Sequence, residues 1–113
     1  MSAWRSISII TVILLSAMAA ARAQEVFDLF RKGDVTAAKA LVEKDPALVE
    51  ARDSRGLTPL HYAAHSGDPD LVHFLIDKGA KLDARDAGSG TPLHVAAMND
   101  RDEAAVALLK RSA

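Results

Sequence analysis

The sequence predicts an all-α fold: a solenoid of stacked helix–turn–helix units with projecting turns. Three observations predict it. Shifting the 113-residue chain by 33 positions aligns a block of identities. Ala51-Arg52-Asp53 returns as Ala84-Arg85-Asp86, Thr58-Pro59-Leu60-His61 as Thr91-Pro92-Leu93-His94, Ala63-Ala64 as Ala96-Ala97, and Leu75 as Leu108. A fixed period of this length marks an array in which each unit buries its apolar face only against its neighbours. Within a unit, helix starts and stops alternate in the right order. Finally, alanine is abundant while aromatics make up only 4%, which suits closely packed short helices better than strands, whose positions favour branched and aromatic side chains.

The middle unit shows the local logic. Thr58 is a helix N-cap, its hydroxyl accepting from a backbone N–H of the first turn, and Pro59 follows where a missing N–H costs nothing. Leu60, Ala63 and Ala64 form an apolar stripe at helical spacing, and Gly67 ends the helix with positive φ. Asp68-Pro69 starts a second helix carrying Leu71, Val72, Phe74, Leu75 and Ile76, and Gly79 stops it. From Ala80 to Gly90 the chain is polar and glycine-containing, as a projecting turn should be. A weaker echo upstream matches Gly33-Asp34 to Gly67-Asp68 and Leu41 to Leu75 at an offset of 34.

The first 23 residues read differently. A short basic start, Met1 to Arg5, precedes an almost unbroken apolar run from Ile7 to Ala20, which closes in Ala21-Arg22-Ala23. This is the three-part layout of a secretory signal with a small-x-small cleavage site. Cleavage is expected between Ala23 and Gln24. The run is shorter than the roughly 20 residues that span a bilayer, so the mature chain should not remain inserted; the competing readings are an uncleaved anchor and a misplaced start. The expected division is 1–23 signal and 24–113 repeat domain, the latter made of 24–52, 53–85 and 86–113.

The pattern Asp53-x-x-Gly56-x-Thr58-Pro59-Leu60-His61-x-Ala63-Ala64-x-x-Gly67, continued by Leu75-Ile76-x-x-Gly79-Ala80, resembles the ankyrin repeat. The resemblance covers Asp53 to Ala80 almost completely and Asp86 to Ala113 well. It reaches Glu25 to Arg52 only as a degenerate N-terminal capping repeat, without the Thr-Pro-Leu-His element and with Asp45-Pro46 in place of Gly-Ala. It implies an ankyrin-repeat solenoid in which His61 and His94 tie turn to helix by bonding the Thr hydroxyl and nearby backbone. In the third unit Ser89 replaces a turn glycine, and Asp100 replaces the inter-helix glycine, with Asn99 expected to take the positive φ. The sequence reaches Ser112-Ala113 in register with Gly79-Ala80. No dedicated C-terminal cap follows. The last helix is therefore expected either to cap itself with alanines or to dock end to end on a partner or a second copy, unless the chain is truncated there.

Function follows from the same resemblance. In ankyrin arrays the turn tips and the exposed side of each first helix form a concave, variable binding surface. By position this implicates Arg31, Lys32, Ser54, Arg55, Leu57, Tyr62, His65, Ser66, Met98 and Asn99. Arg31, Lys32, Arg55 and His65 are cationic or can become so, around Tyr62, Leu57 and Met98, residue types favoured at interface centres. The expected partner is thus a protein offering an acidic patch with an apolar middle, and Arg55→Glu with Tyr62→Ala is expected to abolish capture while sparing the fold. After the leader, the chain holds 12 Lys+Arg against 15 Asp+Glu, a formal charge of −3. That balance argues against phosphate-backbone binding and hence against nucleic acid. Catalysis is not expected: Gly88-Ser89-Gly90 is a turn rather than a nucleophile elbow, no phosphate-binding glycine loop occurs, and the absence of cysteine removes thiolate chemistry. His61 and His65 have an i, i+4 spacing compatible with metal, but the motif already claims His61, so no metal or cofactor is expected. The leading expectation is a periplasmic or extracellular interaction module, monomeric or paired end to end through its C-terminal helix. The alternatives are a host-directed secreted effector and a metal- or haem-binding accessory protein of oxidative-stress defence using His65 and Met98.

Overall fold

A computed structural model of the protein describes residues 2–112, with side chains described from residue 9 onward except at 16. Arg5 in the basic start and the final Ala113 therefore lie outside the described side chains. Among the described residues six α-helices follow in order: α1 Ser2–Lys32, α2 Val35–Lys44, α3 Pro59–Ser66, α4 Pro69–Asp77, α5 Pro92–Met98 and α6 Asp102–Ser112, with a 3₁₀ turn at Pro46–Glu50 between α2 and α3. The end of α1 pairs with α2, α3 with α4, and α5 with α6. The first helices of successive pairs stack, α1 on α3 and α3 on α5, while α4 lies against α6.

One core runs through all three pairs. Leu60, Ala63, Ala64, Val72 and Leu75 of the middle pair are fully buried, with Val26, Phe27, Ala38 and Val42 before them and Ala96, Ala104 and Leu108 after. The core thins toward the third pair, because Leu71 and Val72 are matched by Ala104 and Ala105 one period later.

The caps form as the sequence expects. Asp34 accepts from Ala37 N at 3.2 Å and Asp68 from Asp70 N at 3.0 Å, so both second helices start on an aspartate. Gly67 takes φ 81° and Gly79 φ 104°. The third unit departs from expectation at the inter-helix turn. Asp100, not Asn99, carries the positive φ, 56°, while Asn99 sits at −105°. Asn99 instead turns its side-chain amide back to donate to Val95 O at 2.8 Å, a bond that fixes it at the helix end. Ser89 itself takes the left-handed conformation, φ 66°, because its turn is the same one that Gly56 makes at φ 77°.

α1 is one helix across the expected cleavage point. Its early part stands free of the repeats, with Ile9, Ile10, Ile13, Leu14 and Leu15 all more than half exposed. By length and composition the stretch Ile9–Lys32 is long enough to cross a membrane, a test that a signal sequence near the N-terminus also passes. Its last third, however, belongs to the repeats: Val26 and Phe27 are buried in the core. Ala23 packs against that core as well, and Arg22 pairs with Asp45 at 3.4 Å. Cleavage after Ala23 would start the helix at Gln24, leaving Glu25 in the first turn, where negative charge suits the helix dipole.

Candidate protein-binding surface

The two Thr-Pro-Leu-His segments build the joints of the array. Thr58 Oγ1 accepts from His61 N, and His61 Nδ1 receives both Thr58 N–H, at 3.1 Å, and the Thr58 hydroxyl, at 2.8 Å. An Nδ1 that accepts leaves the proton on Nε2, and Nε2 reaches Gly90 O of the next projecting turn at 2.9 Å. His61 is thus both a cap and a bridge between the second and third repeats, and with both ring nitrogens engaged it has no lone pair to offer a metal. His94 repeats the cap, its Nδ1 lying 2.7 Å from Thr91 Oγ1, but it is exposed where His61 is buried.

The projecting turns are held by aspartates. Asp53 Oδ1 accepts from Arg55 N and Leu57 N, each at 2.9 Å, and Asp86 does the same for Gly88 N and Gly90 N. The turns also join each other: Ala87 N donates to Arg55 O at 2.9 Å, and Arg52 Nη1 donates to Gly56 O and to Arg85 O. Gly56 is required twice over, since its φ is +77° and a Cβ there would lie 2.9 Å from Ala87 N.

The expected surface residues divide into two groups. Arg31 and Tyr62 are brought together but are already occupied. The Tyr62 hydroxyl donates to Asp53 Oδ2 at 2.5 Å and accepts from Arg31 Nη2 at 3.3 Å. Its ring packs 5.4 Å from Phe27 and 6.1 Å from Phe30, centroid to centroid. Arg31 also pairs with Asp28 at 2.9 Å. This cluster fastens the first repeat to the second, so Tyr62→Ala would loosen that joint, and the expectation that it spares the fold is corrected. Sequence spacing gives little hint of the cluster, because Arg31 and Tyr62 lie 31 residues apart and only the stacking brings them into register.

Lys32, Ser54, Arg55, His65, Ser66, Met98 and Asn99 form the second group, and all are exposed, Met98 by 84%. Lys32 ends α1, Ser54 and Arg55 tip the first projecting turn, His65 and Ser66 end α3, and Met98 and Asn99 lie at the end of α5. Leu57 is half-buried beneath its turn. Sequence reasoning missed Arg101, whose Nε donates to His65 O at 3.0 Å and whose side chain lies over Gly67. Arg101 adds a cation beside His65.

Burial pulls the Asp53 carboxyl upward, but the hydrogen bonds from the Tyr62 hydroxyl and from Leu57 and Arg55 N–H, with the charge of Arg55, outweigh it and hold the group below its ordinary value. Burial and the same bond to Asp53 push the Tyr62 phenol up. A depressed carboxylate contributes stability that is present above its unfolded pKa, near 3.9, and is lost as pH falls through the folded value. The melting temperature should therefore fall as the pH drops below about 4. Asp53→Asn should melt lower at neutral pH and lose part of that acid dependence; thermal melts by circular dichroism at stepped pH check this, and parallel pH profiles would contradict it.

The comparisons agree with the geometry. The family model for ankyrin repeats (three copies) matches residues 17–113. Among curated proteins, 50 residues are 44% identical to a transient receptor potential cation channel subfamily A member 1 homolog of Caenorhabditis elegans, covering 44% of this chain and 4% of that protein. Over 49 residues it is 45% identical to the serine/threonine-protein kinase VIK of Arabidopsis thaliana, covering 43% of this chain and 11% of the kinase. Over 48 residues it is 35% identical to the NAD-capped RNA hydrolase NUDT12 of Macaca fascicularis, 42% of this chain and 10% of the hydrolase. The chain spans 4–11% of the lengths of these relatives, so what they share with it is a short stretch. With stacked helical pairs, His-capped joints and a family match over most of its length, the chain belongs to the ankyrin-repeat family.

Proposed function

We propose that this chain is a non-catalytic protein-interaction module that acts after export and binds a periplasmic or extracellular protein through its projecting turns and inner helices. The observation that supports the reading best is a set of exposed side chains at a turn tip and at the ends of the first helices of the three pairs. Lys32, Arg55 and His65 stand exposed there with Met98, and the array's own joints use none of these side chains for hydrogen bonds. The exposed charges of Lys32 and Arg55, together with the exposed apolar Met98, suit a partner patch that is acidic with an apolar middle. The leader supports export: a basic start, an apolar run and a small-x-small site precede the repeats.

Two measurements test this reading. The protein recovered from an envelope or culture fraction should have a mass that starts at Gln24; a mass that retains residue 1 in the cytoplasm would contradict export. The paired charge reversal Lys32→Glu with Arg55→Glu removes no hydrogen bond of the array, and Arg55 supports the Asp53 carboxylate only by its charge, so the thermal melt should fall only slightly while partner capture falls at least tenfold, about 1.4 kcal/mol. Capture at wild-type strength would place the binding site elsewhere.

A further inference from the structure

The outer side of α6 offers a second surface, distinct from the turns and inner helices. Ala104, Ala107 and Leu108 face the core. Residues spaced three and four apart share a helix face, and on the opposite face Asp102, Val106 and Leu109 fall in one stripe with Lys110 at its edge. Val106 is 48% exposed and Leu109 53% exposed. The ends of α6 carry opposite charges: Asp102 and Glu103 in the first turn, Lys110 and Arg111 in the last. Arg111 is committed to the second repeat, donating to Asp77 at 2.6 Å, whereas Lys110 is exposed. Beside Val106, a shallow and mostly apolar depression is lined by Pro69, Asp102, Glu103 and Val106.

We propose that two copies of this chain pair through α6, antiparallel about a two-fold axis near Val106. The stripe reads acid, apolar, apolar, base. An antiparallel copy of such a stripe matches it at both ends at once, while a parallel copy sets like charges together. With the axis at Val106, that side chain meets its own counterpart. Leu109 reaches the partner's depression, and Lys110 lies beside Asp102 of the partner subunit. A contact repeated by symmetry in this way is self-complementary and closes at two copies. The helix is only about 16 Å long, so the interface lies at the small end of the specific range and the dimer is weak, with a Kd of about 10⁻⁵ to 10⁻⁴ M.

The test uses protein expressed from the full coding sequence, in the form the cells yield, followed by sedimentation equilibrium across that concentration range. Wild type should shift from monomer to dimer. Asp102→Lys and Lys110→Glu should each raise the Kd about tenfold, since each turns two opposite-charge pairs into two like-charge pairs. An equimolar mixture of the two variants should recover association, because each supplies the charge the other lacks. Leu109→Glu, at an exposed position, should abolish pairing with unchanged helical content. A monomeric wild type, variants that associate as well as wild type, a mixture that stays monomeric, or assemblies larger than a dimer would each overturn the proposal.

Discussion

His61→Ala is expected to destabilise the domain by about 3 kcal/mol, whereas the same change at His94 should cost about 1 kcal/mol. The two residues occupy the same place in the same four-residue motif, so local sequence cannot distinguish them. Their surroundings do. His61 is 1% exposed; its Nδ1 serves the Thr58 N–H and hydroxyl, and its Nε2 donates to Gly90 O. Truncation leaves a buried N–H and a carbonyl without partners, and each such group costs about 1–3 kcal/mol, with a cavity added. His94 makes the same cap to Thr91, but it is exposed and water replaces what the ring gave. For a domain of this size the melting temperature should fall by about 15 °C in the first case and about 5 °C in the second. Equal losses would mean that the joint to the third repeat carries little of the stability.

Gly67→Val is expected to cost about 2–3 kcal/mol. At φ 81° a β-branched residue is strained, and the Cβ would lie 2.8 Å from Cδ of Arg101. Arg101 must swing away and give up its bond to His65 O, 3.0 Å long. Gly33→Val provides the internal control. Gly33 has nearly the same φ, 82°, with nothing within 4 Å of a Cβ, so it should show the conformational cost alone, about 1–2 kcal/mol. The gap between the two should close in an Arg101→Ala background, where the side chain that must move is gone. A persistent gap would show that the inter-helix turn is coupled to its neighbour by something other than Arg101.

Much of this architecture is legible in the sequence because each unit repeats its own punctuation. Thr-Pro starts, glycine stops and the aspartate-held turns act over three to five residues, and the 33-residue period sets how the pairs stack. What escapes the sequence is fixed across repeats. Tyr62 looks like a surface aromatic until stacking seats it on Phe27 and Phe30 and hands its hydroxyl to Asp53. Arg52 looks like one half of a charge pair, yet it spans the two projecting turns. Asp100 and Ser89 hold the left-handed conformations of absent glycines because the turn geometry is imposed from both sides. The continuity of α1 was equally hidden: composition divides leader from repeat at Ala23, while the backbone stays helical through it. Of the surface residues, Lys32, Arg55, His65 and Met98, whose side chains make no hydrogen bond within the array, are the ones that the positional argument alone could identify.

The central claim, that partners are bound on the turn-and-inner-helix side after export, is tested most directly by site-specific photocross-linking in living cells. A photoreactive residue placed at Arg55 should yield a discrete protein adduct in the exported fraction, and the same residue placed at Lys44, exposed at the end of α2, should yield none. Adducts from Lys44 as strong as those from Arg55, or adducts formed only before export, would contradict the account.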